Sequence, residues 1–188
     1  MEKTKLAMVD LDNTLVFTME ANALAYARAL AEYGFTLTRE DYASRCDGRA
    51  YRDFLPELMG ADSPYIEAVH ERKIALYGEC LTAAELNAPL LDILRGLKDT
   101  YILALVTTAS RRNVEAVLAH FGLSAFFDVV VTQEDVRRAK PDPACYNDLI
   151  ERLGVKREDC LIFEDSASGV AAALASGCQT LVVKRGRA

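Results

Sequence analysis

Short apolar runs alternate with helical segments along this chain, and each run breaks off into polar residues. No other feature constrains the fold as strongly. The runs are residues 6–9 (LAMV), 101–106 (YILALV), 129–131 (VVV), 160–163 (CLIF) and 179–183 (QTLVV). Each is too short for a helix, and the first four are apolar on both faces, as a strand buried inside a parallel sheet must be. Between them lie segments with apolar residues at helical spacing, 90–97, 112–120, 143–153 and 168–175. The last three are closed by Gly122, Gly154 and Gly177. Strand–helix–strand alternation implies right-handed crossovers and an α/β doubly wound parallel sheet.

The pattern is interrupted once. Residues 19–33 are rich in Ala and Leu and end at Gly34; Thr38 caps a second short helix; 54–59 form a third. Ser63-Pro64 begins a fourth that runs to about residue 77. The expected organisation is a core of residues 1–16 and 84–188 with an inserted, all-helical cap, 17–83. With 188 residues, 51% of them hydrophobic, there is material for one domain and a small insert.

A formal charge of −6 argues against a nucleic-acid surface or an anionic membrane as partner. The opening residues, MEKTKLAMVD, hold no signal-peptide core, and no apolar stretch reaches the length of a membrane span. Five scattered cysteines without a Cys-x-x-Cys read as reduced core thiols. The location expected from these features is cytoplasmic.

The first apolar run ends in Asp10-Leu-Asp12-Asn-Thr14. In open α/β sheets ligands bind beyond the carboxyl ends of the strands. Two clustered acids there can hold a hard divalent cation, and one of them can attack an electrophile. Three further polar groups occur at or just beyond such ends: Thr107, Lys140-Pro141 and Glu164-Asp165. Together they offer carboxylates, a hydroxyl and an ammonium, a set suited to a cation and a phosphoryl group.

In order and spacing these four elements resemble the four motifs of the haloacid dehalogenase superfamily. Asp10–Thr14, Thr107, Lys140-Pro141-Asp142-Pro143 and Glu164-Asp165-Ser166-x-x-Gly169-Val170 match in turn, and the helical insert between the first two resembles the C1-cap branch, with phosphoglycolate phosphatase and beta-phosphoglucomutase as types. The resemblance implies a Rossmann-like core and a phosphoric monoester hydrolase working through an aspartyl-phosphate. Asp10 would be the nucleophile and Asp12 the acid–base group. Asp10, the backbone carbonyl of Asp12 and Asp165 would hold Mg2+, supported by Glu164 directly or through water. Thr107 and the backbone N–H of Thr108 would bind the phosphoryl oxygens, and Lys140 would neutralise their charge.

Asp12 favours phosphoryl transfer over dehalogenation, since a halide leaving group needs no proton. Asn22 stands where the mutase branch carries a histidine, which weakens a phosphosugar mutase reading without excluding it. A phospho-acceptor signalling module also combines an acid pair, a Thr and a Lys, but lacks a helical insert. Arg49 and Arg52 follow Gly48 in a loop that resembles a substrate-specificity loop. They would meet a second anionic group of a small phosphorylated substrate, or else face Glu or Asp at the surface. His70 and His120 show no partner in the sequence and read as solvated or capping. Tyr51, at a helix start, reads as core or as part of a substrate pocket. The sequence is silent on the oligomeric state.

Overall fold

The computed structural model describes residues 3–184, which separate into two compact units, 3–17 with 86–184, and 18–85. The first is built on a five-stranded parallel sheet flanked by helices. Its strands are β1 (Lys5–Val9), β4 (Tyr101–Val106), β5 (Val129–Val131), β6 (Cys160–Glu164) and β7 (Gln179–Val182), in the order β5-β4-β1-β6-β7. Helices α5 (Ala88–Leu97), α6 (Arg111–His120), α7 (Ala144–Leu153) and α8 (Ala167–Ala175) make the crossovers. The chain lays down β4 and β5 on one side of β1, then α7 carries it back across to β6. Strand order therefore reverses between β1 and β6, and a crevice opens at such a switch point.

Register fixes what faces that crevice. Val9 stands level with Leu105 on one side and Phe163 on the other. The residues that follow, Asp10, Thr107 and Glu164-Asp165, thus leave the sheet at one edge. Alternate strand residues divide between the faces. Leu6, Met8, Ala104, Val106, Cys160 and Ile162 pack with Tyr146 and Leu149 of α7 and Ala172 and Ala173 of α8. Ala7, Val9, Leu103 and Leu105, also buried, point to the other face. Gly154 ends α7 in the left-handed region at φ 65°, a conformation that a Cβ disfavours. All five cysteines are free and buried, as expected of small core residues.

The second unit holds four helices, α1 (Met19–Ala31), α2 (Arg39–Arg45), α3 (Tyr51–Met59) and α4 (Ile66–Cys80). Their core includes Tyr26, Leu30, Tyr42, Phe54, Leu55 and Val69. Thr38 caps α2 by accepting from the Asp41 N–H at 3.0 Å. Three sequence expectations need correction. The third helix begins at Tyr51 rather than Phe54, so Tyr51 and Arg52 lie within it and not in the loop before it. The fourth helix begins at Ile66, not at Ser63-Pro64: the Ser63 hydroxyl accepts from the Tyr65 N–H, so Pro64 lies inside a turn that precedes the helix. Two two-residue strands, β2 (Val16–Phe17) and β3 (Glu85–Leu86), pair as a ribbon where the chain leaves the sheet-bearing unit and returns. Two residues carry no readable alternation, so the sequence offered no sign of them. Among the described residues no helix is long and apolar enough to cross a membrane.

His70 is neither solvated nor a cap. Its ring lies against Tyr51 with centroids 3.5 Å apart, and its Nδ1 is 3.1 Å from the Tyr26 hydroxyl. Burial, then the Lys73 ammonium, pull its imidazole down to about 4. The unfolded chain therefore takes up this proton first as pH falls, and the interaction stabilises the fold only above the unfolded value near 6.5. Urea midpoints of wild type and His70→Gln, taken at pH 7.5 and pH 5, should show wild type losing stability more steeply across that interval than the variant.

Candidate active site

β1 ends at Val9, but its ladder continues for one bond, from the Asp10 N–H to the Phe163 carbonyl at 3.0 Å. The chain then reverses. The Leu11 carbonyl accepts from the N–H groups of Leu15 and Val16 at 3.1 and 3.0 Å, and the Asn13 N–H donates to the Val16 carbonyl at 2.7 Å. Asn13 itself sits at φ 59°, a region that asparagine tolerates better than most residues. The reversal aims the Thr14 hydroxyl at Asp165, to whose Oδ1 it donates at 2.6 Å. Asn87, at the start of α5, holds the same turn from behind: its Nδ2 donates to the Thr14 carbonyl at 2.9 Å while its Oδ1 caps the Leu90 N–H.

Lys140 lies at the centre. Its Nζ donates to Asp10 Oδ1 at 2.7 Å, to Glu164 Oε1 at 2.5 Å and to the Val106 carbonyl at 3.0 Å, so all three ammonium protons are used. The side chains of Lys140, Asp10 and Glu164 are only 4%, 11% and 0% exposed. Glu164 is equally committed. Oε1 takes Lys140 and the Tyr146 hydroxyl at 3.0 Å; Oε2 takes the N–H groups of Asp165 and Ser166 and the Ser166 hydroxyl. Thr107 is buried at the end of β4, its N–H on the Val131 carbonyl and its Oγ1 accepting from the Ala109 N–H at 3.1 Å. Its hydroxyl proton remains to donate. Asp12 is half-buried beside Asp10, and Thr108 is exposed.

Burial pushes the Asp10 carboxyl up to about 8; Lys140 opposes this, and Glu164 and Asp12 add to it. Burial likewise raises the Asp165 carboxyl, against the Thr14 hydrogen bond. For Lys140 burial pulls down, but Asp10, Tyr146 and Glu164 push harder, and the ammonium stays charged. Asp10, Glu164 and Asp165 each offer a carboxylate oxygen within 4.8 Å of the others. One ammonium does not balance three clustered carboxylates in a buried space. An all-oxygen donor set with surplus negative charge fits a hard divalent cation.

The structure brings Asp10, Lys140, Glu164 and Asp165 together and leaves Thr107 and Thr108 at the same sheet edge. Arg49 and Arg52 belong to the other unit, where each faces a glutamate. Arg49 reaches Glu57 at 2.5 Å and the Arg45 carbonyl at 2.6 Å. Arg52 reaches Glu67 at 3.2 Å and lies over the Tyr51 ring. Sequence reasoning missed Tyr146 and Asn87. Tyr146 occupies an ordinary helix position and Asn87 an ordinary N-cap, and only their spacing from Lys140 and Leu90 could have singled them out. Gly169 of the fourth motif has a reason that only the packing shows. A Cβ on Gly169 would lie 2.0 Å from the Glu164 carboxylate, so glycine is what lets that carboxylate occupy its place.

The family model for haloacid dehalogenase-like hydrolases matches residues 7–183. The chain is 36% identical over 179 residues to a phosphorylated carbohydrates phosphatase of Thermotoga maritima, covering 92% of this chain and 81% of that one. It is 28% identical to a fructose-1-phosphate phosphatase of Escherichia coli, covering 93% and 94%. Among solved structures it is similar to CbbY of Rhodobacter sphaeroides in complex with phosphate, with a TM-score of 0.82 and 27% identity across 95% and 85% of the two chains.

Replacing Gly169 by Ala should expel the Glu164 carboxylate and release Lys140. Steady-state kinetics should show kcat reduced by about 100-fold, the scale of an ångström-sized misplacement, with KM changed far less.

Proposed function

This chain belongs to the haloacid dehalogenase-like hydrolase family, and on that premise we propose that it is a Mg2+-dependent phosphatase of a small phosphorylated metabolite, with sugar phosphates as the leading class. The observation that carries this reading is Lys140, held 2.7 Å from Asp10 and 2.5 Å from Glu164 at the switch point of the sheet, with Asp165 in the same acidic cluster. The names of the two similar phosphatases support the substrate class.

Asp10 attacks phosphorus through a carboxylate oxygen; the bond to the departing alkoxide breaks as the aspartyl-phosphate forms. Asp12 gives that alkoxide its proton, then takes one from the water that hydrolyses the acyl phosphate and returns Asp10 free. Lys140 orients Asp10 through Oδ1 and offsets charge on the phosphoryl oxygens. Thr107 donates its hydroxyl proton to one of those oxygens, and the Thr108 N–H serves another. Asp10, Asp165 and the Asp12 carbonyl would hold the cation, with Glu164 supporting from behind, since both of its oxygens are already engaged. When bound, Mg2+ cancels the repulsion between anionic nucleophile and anionic phosphate. The five free, buried cysteines suit a reducing, cytoplasmic setting. The negative charge suits a small-molecule partner rather than nucleic acid or an anionic membrane.

A panel of sugar phosphates, phosphoglycolate and p-nitrophenyl phosphate, assayed with Mg2+ and with EDTA, tests the reading. Phosphate release should require the metal, and Asp10→Asn should lower kcat by at least about 1,000-fold. Asp12→Asn should keep metal binding while losing turnover. Silence across the panel with Mg2+ present would defeat it. Phosphorylation of Asp10 that persists would favour an acceptor module, and conversion of glucose 1-phosphate to glucose 6-phosphate with a bisphosphate activator would favour a mutase.

Arg49 and Arg52 are held by solvent-exposed ion pairs, which are weak and which a substrate anion can displace. Arg52→Ala should raise KM for a substrate with a second anionic group and leave p-nitrophenyl phosphate nearly unchanged. Equal effects on both would remove the specificity role.

A further inference from the structure

We propose that Tyr146 is a positioning residue for this site, acting through Glu164 to fix the Lys140 ammonium. The proposal rests on the phosphatase reading for its kinetic consequence, and on geometry alone for the linkage.

Tyr146 lies in the first turn of α7 and is wholly buried in the core cluster among Leu6, Met8, Leu149 and Ile162. By surroundings it is an apolar position, and a Phe would fill it. The hydroxyl is what needs explaining, because burying one without a partner is costly. Its partner is Glu164 Oε1, 3.0 Å away, the same oxygen that receives Lys140. The ring of Tyr146 also lies beneath that ammonium, 5.3 Å from centroid to Nζ. Tyr146 therefore touches both members of the Lys140–Glu164 ion pair.

The consequence follows from counting acceptors. Oε2 of Glu164 is tied by the Asp165 and Ser166 N–H groups and the Ser166 hydroxyl, in the room that Gly169 leaves by lacking a Cβ. Oε1 holds two donors, Lys140 and Tyr146. Remove the phenol and Oε1 keeps a single partner, so the carboxylate is free to turn about its Oε2 anchor. Lys140 turns with it, and its bond to Asp10 lengthens. Tyr146 thus keeps the ammonium shared between the nucleophile and Glu164, instead of paired with Glu164 alone. Since it meets no substrate atom, its loss should act on kcat and leave KM almost untouched.

The test compares Tyr146→Phe, Glu164→Gln and the double variant on p-nitrophenyl phosphate, with lysine-ammonium NMR on 15N-lysine-labelled protein as a readout independent of turnover. Tyr146→Phe should lower kcat by about 10-fold with KM within about twofold. The double variant should be no slower than Glu164→Gln alone, because the tyrosine acts through the glutamate. The Lys140 ammonium signal, assigned with Lys140→Arg, should be visible in wild type and shift or broaden in Tyr146→Phe. An unchanged kcat, an unmoved Lys140 signal, or a full tyrosine effect in the Gln background each overturns the proposal. If wild type proves inactive on every substrate, the phosphatase reading fails and the Lys140 signal still decides the linkage. Tyr146→Leu, which removes ring and hydroxyl, is the control for packing and should lower the melting temperature well beyond Tyr146→Phe.

Discussion

A single buried ammonium, shared between two carboxylates from different strands, is the interaction on which the rest of this structure depends. Lys140 arrives on a loop after β5, Asp10 closes β1, and Glu164 closes β6. Each would be expensive alone in a water-poor interior, and removing any one strands the others. The arrangement holds because the lysine and the glutamate find partners for their polar atoms. Lys140 spends all three protons, and Glu164 spends both oxygens. The protein can place this much charge at the sheet edge only because β1, β4 and β6 run in register and end together.

The network is also unbalanced by design of its donors. Asp10, Glu164 and Asp165 bring three acids against one lysine, and burial pushes Asp10 and Asp165 toward protonation. A surplus of clustered negative charge of this kind fits a hard divalent cation. Thr14 and Glu164 do complementary work within it. One aims Asp165 by a hydroxyl, and the other fixes Lys140 and is itself held by Tyr146, Ser166 and two backbone N–H groups. The carboxylates of the cluster are thus aimed by Thr14, Tyr146 and Ser166, which stand behind them.

The two arginines after Gly48 show where reading a sequence stops. Their charge and loop position suggested contacts with a substrate anion, and a surface ion pair was the bland alternative. Each faces a glutamate on a neighbouring helix, Glu57 or Glu67, at separations of eight and fifteen residues that no local pattern predicts. His70 shows the same limit. An isolated histidine on a helix reads as solvated, and its stacking on Tyr51 and bond to Tyr26 depend on how three helices meet. Pro64 was placed inside a helix because proline suits a first helical turn, but the Ser63 side chain captured the backbone first.

Much was nonetheless legible in the chain. Apolar runs and their helical partners gave the strands and crossovers of the sheet-bearing unit. The acids, the threonine and the lysine that follow them marked one edge, because parallel strands all end on the same side. Those are properties of a few consecutive residues, and a sequence states them directly. Only the tertiary structure decided that β6 lies beside β1, that Tyr146 turns its hydroxyl onto Glu164, and that Gly169 is small so that a carboxylate can sit against it. Periodicity tells which face of a helix is buried. It does not tell which atom waits on the far side, and that depends on the packing of segments distant in the chain.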